Sequence, residues 1–203
     1  MTQQEQKKEY LHPARFWWKQ LQPNKTDDKG YSRGDRAALA KMRRCSTWVE
    51  ASAEPQTLAL FHMLGKGKDC ELPRIAVLAS VLAHVREESK FDEQLRRIPL
   101  VADGIGKRPD DKTTQAKLSE RRLRRLLTAT GDDEILKAFR RLVAIMGGKA
   151  NVADLADNIL YWDHPETGDS TRVKFAFHYW KAGQAAPSAA PAPVTSAPEN
   201  LTA

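Results

Sequence analysis

Residues 119–146, SERRLRRLLTATGDDEILKAFRRLVAIM, decide the fold. Leu123, Leu126 and Leu127 recur at helical spacing, and Ile135, Phe139, Leu142, Val143 and Met146 repeat the pattern at i, i+4, i+7, i+8 and i+11. Ser119 stands where an N-cap belongs and Gly131 where a helix stops; Asp132 or Asp133 is placed to cap the next helix, which Gly147 and Gly148 end. Two amphipathic helices joined by a short turn follow from this stretch.

Working outward, Asn151 caps a third helix that carries Val152, Leu155, Ile159 and Trp162. Residues 170–180 fit either a helix, through Val173, Phe177 and Trp180, or a strand, through Val173, Phe175, Phe177 and Tyr179. Three helical neighbours and no partner strand favour the helix. Upstream, helices are expected over 13–21, 35–48, 57–64 and 73–87, the last with Ile75, Leu78, Leu82 and Val85 on one face. Residues 99–117 hold Gly, Pro and little periodicity. The expected fold is all-α: two small helical bundles, 1–99 and 118–182, joined by a 100–117 loop. Residues 183–203 hold four of the eleven Pro and a single charge, Glu199, so they read as a disordered tail.

The 203 residues hold 33 Lys plus Arg against 26 Asp plus Glu, a net charge of +7 that asks for an anionic partner. Two cysteines, Cys45 and Cys70, are too few for a disulfide framework or a cysteine-rich zinc site. No apolar run reaches the ~18 residues of a membrane span, and the first ten residues lack a signal-peptide core, so a cytoplasmic protein that meets no membrane is expected.

At 100° per residue, Arg121, Arg122 and Arg125 gather on the side of the first helix largely opposite its leucines, with Arg124 beside them. Lys137, Arg140 and Arg141 repeat that geometry on the second. Paired basic faces suit a phosphate backbone, because guanidinium groups grip phosphate bidentately and each neutralised phosphate releases counterions. They equally suit a salt-bridged surface, with Arg121 pairing to Glu120. A further patch, Arg36, Arg43 and Arg44, admits the same two readings. The aromatics mostly fall in apolar stripes and read as core. Trp17 and Trp18, being adjacent, cannot both face one core, which leaves one for a partner.

Enzyme signatures are missing. No two histidines stand at i, i+4, no His-Glu metal motif occurs, and Gly65-Lys66-Gly67-Lys68 and Gly104-Ile105-Gly106-Lys107 lack phosphate-loop spacing and read as turns. Asp154, Asp157 and Asp163 are the only candidates for a nuclease carboxylate cluster, and no nucleophile has a base beside it. Neither cofactor nor metal is expected. A free-standing helix-turn-helix regulator is the alternative, although its arginines run along both helices instead of gathering at the start of the second.

The ordered blocks FWWKQLQP (16–23), GDRAALAKMRRC (34–45), residues 119–146 and VADLADNILYWD (152–163) resemble the CasB-type small subunit of Cascade, the type I-E CRISPR surveillance complex. The resemblance runs from Phe16 to Trp180. It implies two small helical bundles without catalytic activity. It also implies assembly in more than one copy beside the backbone and large subunits, where the protein helps hold the guide RNA–target DNA hybrid and the displaced strand. By motif match Arg121, Arg122, Arg140 and Arg141 fall on the family's basic surface. Arg36, Arg43 and Arg44 match its N-terminal block, facing either nucleic acid or protein. Residues 104–117 and the tail have no counterpart in the resemblance.

Overall fold

The computed structural model describes residues 12–23, 34–65, 71–93, 95–106 and 116–181. The tail expected to be disordered lies outside the described residues. The architecture is all-α: helices α1 (Pro13–Leu21), α2 (Arg36–Arg44), α3 (Trp48–Ser52), α4 (Pro55–Met63), α5 (Leu72–Leu82), α6 (Val101–Ile105), α7 (Glu120–Leu127), α8 (Asp132–Ile145), α9 (Val152–Tyr161) and α10 (Gly168–Lys181). Two short strands, β1 (Glu87–Glu88) and β2 (Lys149–Ala150), pair in parallel, Glu87 with Lys149 and Glu88 with Ala150.

Helix α5 is the axle. Every residue from Ile75 to Leu82 is buried, because α3, α4, α8 and α9 surround it. The sequence pattern predicts one apolar face; in fact Ala76, Val77, Ala79, Ser80 and Val81 fill the remaining circumference with small or aliphatic groups, as a helix enclosed on all sides requires. The buried residues form one cluster from Ala14 to Tyr179 that draws on both halves of the chain. Part of the expected 100–117 loop is ordered: Val101, Ala102 and Ile105 are buried on α6, which packs against α10. Gly104 and Ile105 thus sit in a helix, not a turn.

Two capping expectations need correction. Gly131, at φ +70°, takes the N-cap position of α8. Asp132 instead meets Arg74 Nε at 3.2 Å, while Arg74 Nη2 donates to Asp163 at 2.5 Å. Burial pushes the Asp132 carboxyl up, against the pull of Arg74. Ser119 occupies the N-cap of α7, but its side chain makes no capping bond; Asn151 does cap α9, accepting from the Asp154 amide at 3.2 Å.

The aromatics also differ from expectation. Trp17 and Trp18 are both buried, since α1 lies between α4 on one side and α9 on the other. Their indoles donate to Gln56 O at 2.9 Å and Val85 O at 3.1 Å. Residues 168–181 are helical, yet Phe175 and Tyr179 face inward while Val173, Phe177 and Trp180 stay exposed.

Candidate nucleic-acid interface

Helices α7 and α8 are amphipathic, and the Gly131 turn folds them against each other with their leucines inward. An open groove of about 890 Å³ runs between their outer faces. Arg122 and Arg125 line it from α7, and Lys137 and Arg141 from α8. All four are exposed, and none forms an ion pair with another described residue. The groove's apolar surface comes from Leu118, Leu126, Ala138, Leu142 and Ile145. Glu134 is its one acid, and that carboxylate accepts from the Thr130 amide at 3.2 Å. Four cations and one acid surround the shallow channel, which leaves it net positive over an apolar floor.

The remaining sequence candidates divide. Arg121 is exposed outside the groove lining, and Glu120 pairs with Arg124 at 2.6 Å instead of with Arg121. Arg140 is a correction. Its guanidinium turns inward and donates to the Ser80 hydroxyl and to the Cys45 and Met42 carbonyls, tying α8 to α2 and α5. Burial holds its pKa below the usual arginine value. Arg140 therefore ties helices together and does not line the groove with Arg122, Arg125, Lys137 and Arg141. On α2, Arg36, Arg43 and Arg44 are all exposed, and Arg43 Nε also donates to Ala83 O at 2.6 Å. None of the three lines the α7–α8 groove.

Two features escaped the sequence reading. The apolar part of the groove draws on Leu118, just before α7, and on Ile145, the last residue of α8, which look like ordinary core residues in the pattern. Exposed Arg86 stands near Arg43 and, after burial, lowers its pKa further, extending the α2 basic patch from a segment over 40 positions away. No local spacing signals that approach.

The three aspartates raised as nuclease candidates have structural partners. Asp154 accepts from the Val101 amide at 2.7 Å, Asp157 meets His12 Nε2 at 3.2 Å, and Asp163 holds Arg74 and the Gly131 amide. Among the described residues no group of three or more His, Cys, Asp or Glu side chains is placed to hold a metal ion. No helix among them is long and apolar enough to cross a membrane.

A family model described as CRISPR-associated protein Cse2 matches residues 38–180, which take in every groove cation. No curated protein and no solved structure matches the chain.

Proposed function

The chain belongs to the Cse2 family of CRISPR-associated proteins, the small subunit of type I-E Cascade, and from that premise we propose that its α7–α8 groove binds nucleic-acid backbone to stabilise the guide RNA–target DNA hybrid and the displaced strand. The observation that carries this reading is the convergence of Arg122, Arg125, Lys137 and Arg141 on one groove without carboxylate partners among the described residues.

A positive groove suits a complex in which guide pairing supplies sequence and protein supplies charge and shape. The protein acts here by binding alone, as a soluble cytoplasmic component, with no cofactor. Its partners are the guide RNA, the target DNA, the backbone and large subunits and a further copy of itself. The exposed Arg36 and Arg44 add charge from α2.

The test is the target-DNA affinity of a type I-E complex reconstituted with the Arg122→Glu/Arg141→Glu protein. A weakened complex of unchanged composition supports the reading. Unchanged affinity and unchanged salt dependence overturn it. Free protein that picks one duplex sequence far above random DNA would instead favour the helix-turn-helix regulator.

A further inference from the structure

Helix α10 carries an apolar ridge on its outer side. Val173, Phe177 and Trp180, at i, i+4 and i+7, are 69%, 59% and 51% exposed, while Phe175 and Tyr179 on the opposite side are buried. Three large apolar side chains in line on one helix are a contiguous patch, not scattered surface residues. None of them lines the α7–α8 groove.

We propose that this ridge is the surface by which the chain docks on another protein subunit of its complex, one that presents an apolar patch bordered by carboxylates. The proposal rests on the subunit reading above and deepens it. The spacing is that of a helix offered for packing against a partner face, read through anchors at i, i+4 and i+7. Aromatic anchors set in an apolar strip resemble the centre of a protein interface.

The border fixes the partner's charge. Lys174 and Lys181 are exposed beside the ridge, and neither forms an ion pair with another described residue. Lys181 Nζ lies 5.8 Å from the centroid of the Phe177 ring, so its charge sits at the ridge itself. Carboxylates opposite these two ammonium groups would steer the docking and fix its register.

Single-stranded nucleic acid fits the ridge less well. Its most exposed member is the aliphatic Val173, which offers no ring for a base.

The test reconstitutes a type I-E complex that lacks its small subunit with full-length wild type, Phe177→Glu, Trp180→Glu or Lys174→Glu/Lys181→Glu protein. Incorporation is read by co-migration across a concentration series. The ridge variants should raise the concentration for half-incorporation by about tenfold or more, as loss of a central aromatic anchor does. The lysine pair should give a smaller rise that shrinks in high salt. Circular dichroism and thermal unfolding keep loss of fold apart from loss of docking, and Phe177→Ala serves if the glutamate variant unfolds.

Incorporation equal to wild type overturns the proposal. So does a loss of self-association by the free protein that accounts for the whole defect, which would make a second copy the occupant. An equal loss of oligonucleotide binding by the free protein also overturns it and makes the ridge a stacking surface. Arg122→Glu/Arg141→Glu protein that incorporates normally but fails on DNA separates this result from the groove reading.

Discussion

The Arg140 guanidinium donates to the Ser80 hydroxyl, so a charged side chain from α8 reaches the buried stretch of α5. The same Nη2 also serves the Cys45 and Met42 carbonyls at the end of α2. Removing it leaves the Cys45 carbonyl short of a donor and the Ser80 hydroxyl oxygen without its charged partner, while the Met42 carbonyl keeps the Ser80 hydroxyl as donor at 3.3 Å. Arg140→Ala should cost about 2–4 kcal/mol of stability, from lost charged hydrogen bonds and newly unsatisfied buried groups. Arg141→Ala, one residue on and fully outside, should cost less than about 0.5 kcal/mol. Urea denaturation of both variants checks the contrast; equal costs would dismiss the structural role of Arg140.

His84 gives the fold a pH dependence. Its Nδ1 lies 2.9 Å from Ser80 O, so that nitrogen carries a hydrogen and donates to the carbonyl. Burial lowers its pKa, the Ser80 bond opposes this, and the charges of Arg140, Arg43 and Arg86 lower it further. The unfolded chain therefore takes up a proton at a higher pH than the folded one. Stability from this group is complete above the ordinary histidine value, about 6.5, and falls as pH drops below it towards the depressed folded value. His84→Asn should flatten that part of the stability curve. Urea midpoints of both proteins at pH 7.5 and 5.5 read the effect, and parallel losses would show that His84 is not its source.

Trp162 is the joint between α8, α9 and α10. It is fully buried, edge-on to Phe139 at 5.0 Å and to Phe175 at 5.3 Å between ring centroids. Trp162→Ala should cost about 3–5 kcal/mol, transfer and cavity terms together. Its indole nitrogen has no hydrogen-bond partner among the described residues, so Trp162→Phe gives up packing alone and should cost less than half as much. Thermal and chemical unfolding of the two variants decide whether packing dominates.

What was legible in the sequence was whatever has a local period. The stripe Ile135, Phe139, Leu142 and Val143 is buried as read, and Asn151 caps as read. What was not legible depends on neighbours distant in the chain. Arg140 and Arg141 are alike in sequence, and only Ser80 and Cys45, 60 and 95 positions away, distinguish them. Trp17 and Trp18 both find cover because α1 has helices on two sides. On α10 the apolar spacing of Val173, Phe177 and Trp180 is real, but Phe175 and Tyr179 win the core side through α6, α7 and α9; Tyr179 also bonds Leu118 O at 2.6 Å. Periodicity reports an amphipathic helix without saying which of two apolar faces meets the body of its own chain.

The groove itself makes a graded prediction. If Arg122, Arg125, Lys137 and Arg141 each neutralise one phosphate, each single alanine variant should lower the slope of log affinity against log salt by about 0.7–0.9, the lower figure applying to single-stranded and the upper to duplex backbone. Arg124 lies outside the groove lining and already pairs with Glu120 at 2.6 Å, so Arg124→Ala should leave the slope unchanged. Because the contacts go to backbone, the loss should be the same for every target the guide matches. Affinity titrations of the assembled complex at four salt concentrations, on two unrelated targets, measure all of this. A loss confined to one target would mean base reading, and a slope insensitive to all four variants would place the phosphate contacts on another surface.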